Sequence, residues 1–83
     1  MKISLKLFAS LADYLPAGSR ENRIELDVED GVSVADLIRR YQVPERSAHL
    51  VLVNGLFVPP AERPRRRLQE GDELAVWPPI AGG

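Results

Sequence analysis

The sequence has no cysteine at all. Disulfides, thiolate metal sites and a cysteine nucleophile are therefore excluded. Histidine occurs once, as His49, which is too few for a multi-histidine metal site. No apolar run approaches the ~20 residues that a membrane-spanning helix needs. Met1 to Phe8 alternates polar and apolar residues around Lys6, so it lacks the apolar core of a secretory signal. These absences read as a cytoplasmic protein with no metal site and no membrane contact. The formal net charge is −1, leaving no global field to attract nucleic acid. No repeat, low-complexity tract or linker divides the 83 residues, which make one domain. A deep catalytic cleft is hard to carve from so short a chain without losing the core. A carrier, a binding module or a subunit is favoured over a self-sufficient enzyme.

The residues that are present describe alternating elements. Ile3, Leu5 and Leu7 alternate with Ser4 and Lys6, a period-two strand with one face in a core. Phe8 to Leu15 suits a turn or two of helix, ended by Pro16-Ala-Gly18. Ile24, Leu26 and Val28 alternate with Glu25, Asp27 and Glu29, giving a second strand with an acidic outer face. Ser33 followed by Asp36 is a capping-box start, and Val34, Leu37, Ile38 and Tyr41 continue at helical spacing until Pro44. Leu50 to Val53 is a short continuous apolar run, expected as a central strand covered on both faces. Asn54-Gly55 is a strong hairpin signal, Leu56 to Val58 returns, and Pro59-Pro60 stops it. Leu68 is the expected core anchor of the following polar segment, Gly71-Asp72 a turn, and Glu73 to Trp77 the last strand.

The order is β-β-α-β-β-β. This is an α+β pattern and matches the β-grasp fold, with about five strands in a mixed sheet and one main helix across one face. In that fold the first and last strands lie side by side. Residues 1–77 form the expected domain and 78–83 its tail. Pro78 and Pro79 favour stiff extended backbone, and Gly82 and Gly83 have no side chains. A stiff spacer thus carries a slim, flexible tip, able to thread a narrow channel and deliver a terminal carboxylate. A free carboxylate is a poor electrophile. A partner using ATP would have to convert it to an acyl-adenylate before a sulfur or nitrogen nucleophile attacked.

The run from Leu68 through Gly71-Asp-Glu, Trp77-Pro-Pro and Ala81-Gly-Gly83 resembles the C-terminus of the MoaD/ThiS family of ubiquitin-like sulfur carriers. Val53-Asn-Gly55 and Phe8-Ala-Ser-Leu11 resemble it too, so the likeness spans essentially the whole chain. The resemblance implies a non-catalytic carrier. A ubiquitin-activating-like adenylyltransferase would adenylate Gly83 with ATP, and a sulfur donor would convert it to a thiocarboxylate. Gly82, Ala81, Ile80 and Pro79 would thread into the partner. Pro78-Pro79 and the Phe8 segment look more like the molybdopterin synthase small subunit than the thiamine-pathway carrier, which makes the synthase large subunit the implied sulfur acceptor. Ala12-Asp13 stands where that subunit often has Arg-Glu, so thiamine or another pathway stays open. So does a protein modifier joined through Gly83, and so does a β-grasp binding module with an idle tail.

Two further features lie outside the tail. Arg63, Arg65, Arg66 and Arg67 form a basic cluster with no interleaved aromatic, unlike a nucleic-acid stacking platform. It reads as a solvated loop, or as a patch docking an acidic partner surface. Phe57 and Trp77, with Leu56 and Val58, are candidates for an exposed sheet face that docks the activating enzyme, with the alternative that they are core. His49 is given no role.

Overall fold

The computed structural model describes residues 1–79. Its first strand, β1 (Lys2–Leu7), buries Ile3, Leu5 and Leu7 and turns Lys6 to the other face, as the alternation requires. The next segment, Ala9–Tyr14, is a 3₁₀ helix that buries Leu11. With Pro16 closing it, so short a piece gains too little from α-helical bonding to offset nucleation.

A tight turn at Glu21-Asn22, both at positive φ, leads into β2 (Arg23–Asp27). The one α-helix among the described residues, α1 (Val34–Arg40), starts on the capping box read from the sequence. Ser33 Oγ accepts from the Asp36 N–H at 3.0 Å, and Asp36 Oδ2 accepts from the Ser33 N–H at 3.1 Å. The helix buries Val34, Leu37 and Ile38 against the sheet. Strand β3 (Leu50–Val53) turns at Asn54-Gly55 into β4 (Leu56–Phe57), and β5 (Glu73–Trp77) closes the fold.

The five strands form one sheet in the order β2-β1-β5-β3-β4. β1 and β5 are parallel, with Leu5 opposite Leu74 and Leu7 opposite Val76; the other pairs are antiparallel. The first and last strands are therefore neighbours, and the fold is the ubiquitin-like β-grasp. The core lies between α1 and one face of the sheet, where Val51, Val53, Leu74 and Val76 are completely buried.

β3 differs from expectation. It was expected to be covered on both faces, yet Val51 and Val53 are buried while Leu50 is 37% exposed. Helix α1 covers one face, and among the described residues no second helical layer lies over the other. Val58 also departs, from the open face to the core: it is buried, and its N–H donates to Val51 O at 2.8 Å. Leu68 is buried as expected, and its N–H donates to Val32 O at 2.9 Å.

Candidate functional site

The uncovered face of the sheet is assembled by strand register. Trp77 ends β5 opposite Leu50 of β3; one row inward, Ala75 lies opposite Leu52, and Leu52 opposite Phe57 of β4. Phe8, just past β1, stacks on Trp77 with ring centroids 4.3 Å apart and planes 4° from parallel. An apolar strip thus crosses the open face from Phe8 to Phe57. Phe57 is 57% exposed and Leu56, on the sheet edge, 72%. Large apolar side chains this exposed on so small a domain make the strip a candidate contact surface. On the β1–β2 side the strip gives way to charge, with Lys6 and Arg23 both facing Glu73.

Trp77 is also where the tail leaves the sheet. Its carbonyl accepts from the His49 N–H at 3.0 Å, Pro78 is half-buried and Pro79 is exposed. The remaining site residues read from the sequence, Ile80, Ala81, Gly82 and Gly83, lie outside the described residues.

The arginine cluster separates into four different environments. Arg63 is buried, and its guanidinium donates to the carbonyls of Ala48 (2.7 Å), Val58 (3.3 Å) and His49 (3.3 Å). Burial holds its pKa below the usual arginine value. The backbone around it caps α1: Arg63 O and Arg66 O accept from the N–H groups of Ala35 and Val34. Arg67 donates to Gly31 O at 2.7 Å, near the start of α1 and away from the apolar strip. Arg66 donates to Arg67 O and lies 3.8 Å from Asp72. Arg65 is exposed and makes no ion pair among the described residues. Arg65 and Arg66 border a shallow hollow of about 360 Å³ that Leu56, Phe57 and Pro59 also line.

The structure therefore brings Phe57 and Trp77 onto one face, sets Arg65 and Arg66 beside Phe57, and takes Arg67 elsewhere. Phe8, Leu50 and Leu52 belong to the same face and were missed in the sequence. Their signal was strand parity, since 50 and 52 face opposite 51 and 53; reading the run as doubly covered hid it. Among the described residues no three side chains of metal-binding type gather into a site.

Comparison with known proteins decides which kind of β-grasp protein this is. A model of the ThiS family matches residues 5–83, from mid-β1 through the final glycine. The chain belongs to the ThiS family. No protein of curated function matches it. Among solved structures, SAMP1 (small archaeal modifier protein 1) from Haloferax volcanii is 29% identical with a TM-score of 0.68, each chain being covered in full. A putative molybdopterin converting factor subunit 1 from Pyrococcus furiosus is 25% identical with a TM-score of 0.68, covering 95% of this chain and 98% of that one. The molybdopterin-converting factor complex of subunits 1 and 2 from Helicobacter pylori matches at 17% identity and TM-score 0.61, with full coverage of both chains. At that identity the likeness shows the fold alone. This ThiS-family chain thus has the fold shared by MoaD/ThiS sulfur carriers and small ubiquitin-like modifiers. Among the described residues no helix is long and apolar enough to cross a membrane.

Proposed function

We propose that this ThiS-family protein carries sulfur as a thiocarboxylate on Gly83 and delivers it in cofactor biosynthesis, with molybdopterin synthesis the favoured pathway. The observation that carries the reading is the family match through Gly83, on a chain whose last strand ends at Trp77 beside an exposed apolar face. In this reading the Gly83 carboxylate attacks the α-phosphorus of ATP in an adenylyltransferase, and pyrophosphate leaves. Hydrosulfide released by a sulfur donor then attacks the acyl carbon; a carbon–sulfur bond forms, the acyl bond to AMP breaks, AMP leaves with the electron pair, and the thiocarboxylate remains. The Phe8–Phe57 strip docks each partner, while residues 78–83 act as the tail that reaches its reacting centre. The likeness to a putative molybdopterin converting factor subunit 1 supports that factor's second subunit as the sulfur acceptor. The carrier itself binds no cofactor, and ATP belongs to its activating partner.

Intact mass spectrometry tests this. With adenylyltransferase, ATP and a sulfur donor, the chain should gain the mass difference between one sulfur and one oxygen atom. A chain that stays unmodified with the partner present sinks the carrier reading. The likeness to SAMP1 favours a second reading, a modifier joined to other proteins through Gly83. Ladders of heavier, isopeptide-linked species in the same experiment would select it.

A further inference from the structure

Arg63 is the only cation buried among the described residues, at 6% exposure. A guanidinium has five N–H donors. Three are used: Nε on Val58 O, Nη1 on Ala48 O and Nη2 on His49 O. One N–H on each terminal nitrogen is left over. All three acceptors are neutral, and Arg63 enters no ion pair among the described residues. A buried positive charge held by neutral carbonyls alone is costly, and its lowered pKa has that burial as its cause.

Arg63 borders a hollow of about 250 Å³ beside α1. Ala35 and Ile38 of the helix, with Val43 just past it, give the hollow an apolar wall. Arg39 and Glu45, both exposed, line it too. The one ion pair of Arg39 among the described residues is with Asp36 at 3.6 Å, an exposed pair that contributes little. Glu45 makes no ion pair with Arg63 among the described residues, although its charge favours the charged guanidinium from a distance. The hollow therefore sets two cations and one carboxylate around aliphatic carbon. It is smaller than a drug-sized pocket and suits a group of only a few non-hydrogen atoms.

We propose that this hollow binds a carboxylate carried on a short branched aliphatic chain: Arg63 and Arg39 take the carboxylate, and Ile38 and Val43 take the chain. The ligand supplies the counter-charge that Arg63 lacks, through charge-assisted hydrogen bonds roughly twice as strong as those to neutral acceptors. No covalent bond is made or broken. Two sources carry such a group: a small free acid, and an acidic side chain next to an aliphatic one in a peptide. The α1 wall puts the site on the helix-covered face of the sheet, so its occupant does not compete with docking at the Phe8–Phe57 strip. The binding involves no chemistry at Gly83 and stands apart from the sulfur-carrier reading.

The test titrates the full chain, labelled with nitrogen-15, with isovalerate and follows it by NMR. The Arg63 Nε–H and the Ala35 and Val43 amides should shift and saturate, with a Kd on the order of 1 mM for so small a ligand. Isoamyl alcohol, which has the same carbon skeleton and no charge, should not saturate them. Ala35→Leu grows a side chain from the wall into the hollow without touching the guanidinium, and should weaken binding roughly tenfold by steric exclusion. Glu45→Gln removes the opposing carboxylate and should tighten binding about threefold, the scale of an exposed charge interaction. A blocked acetyl-Leu-Glu-amide peptide separates the sources: tighter binding than isovalerate assigns the site to a partner's side chain, and weaker binding assigns it to a free acid. Equal shifts with the alcohol overturn the proposal. So do unsaturated shifts spread over Arg65 and the other exposed arginines. Unchanged affinity in both Ala35→Leu and Glu45→Gln overturns it as well, and the second variant keeps the test open if the first does not fold.

Discussion

Asn54 Nδ2 donates to Asp72 Oδ1 at 2.8 Å, tying the β3–β4 hairpin turn to the turn that opens β5. Asn54 Oδ1 also accepts from the Glu73 N–H at 2.9 Å. Asp72, itself buried, accepts from the Gln69 N–H at 2.8 Å. One side chain therefore joins two turns distant in sequence, at a residue whose φ of +51° already favours asparagine. Asn54→Ala loses both side-chain bonds and suits that φ less, so it should destabilise by about 2 kcal/mol in urea unfolding. Asn54→Gly keeps the backbone permissive and should cost less.

Arg63 and Arg65 share a cluster in sequence and nothing else. Arg63→Ala strips donors from buried carbonyls around Ala48 and Val58 and should cost about 3 kcal/mol or more. Arg65→Ala should change stability by less than about 0.5 kcal/mol. Thermal melts of the two variants compare them directly; equal losses would contradict the assignment.

Phe57 is exposed on the strip that we assign to docking. Phe57→Ala should leave stability within about 0.5 kcal/mol and weaken partner binding about thirtyfold, the scale of an anchoring aromatic. Calorimetric titration against the adenylyltransferase reads the second effect. Unchanged affinity would move the docking face elsewhere.

Removing Gly83 should abolish sulfur loading and leave the melting temperature nearly unchanged, because β5 ends at Trp77. Mass spectrometry and a thermal melt on one sample read both. A large loss of stability would contradict a tail independent of the core.

Two carboxylates titrate low in the folded chain. Asp36 is lowered chiefly by the hydrogen bond from the Ser33 N–H, and Glu29 chiefly by the hydrogen bond from Arg40. Folding favours both anions, so their contribution is complete above the ordinary carboxylate range and is lost as pH falls through the lowered values. Stability should be level near neutrality and decline below about pH 4. Asp36→Asn should make that decline shallower in denaturant titrations at stepped pH. Ser33→Ala should cost about 1 kcal/mol near neutrality through loss of the cap, and less in acid, because the Ser33 side chain also helps to hold Asp36 low.

Local chemistry made much of the fold legible. The Ser33–Asp36 box, the Asn54-Gly55 turn and the β1 alternation each act within a few residues, and each appears where the sequence puts it. What was not legible depends on distant partners. Arg63 looks like its neighbours until the carbonyls of Ala48, His49 and Val58 converge on it. Leu50 and Leu52 look like core until the sheet is seen to have a single covering helix. Phe8 gains its meaning only from the parallel β1–β5 pairing that lays it on Trp77.

That parallel pairing also sets how the molecule bears load. A partner that grips the tail pulls β5 by its far end, while resistance at the amino terminus holds β1 by the opposite end. The two strands are then sheared lengthwise, and the hydrogen bonds between them share the tension at once instead of unzipping one by one. A pull between the two ends of the domain therefore loads the whole β1–β5 ladder lengthwise.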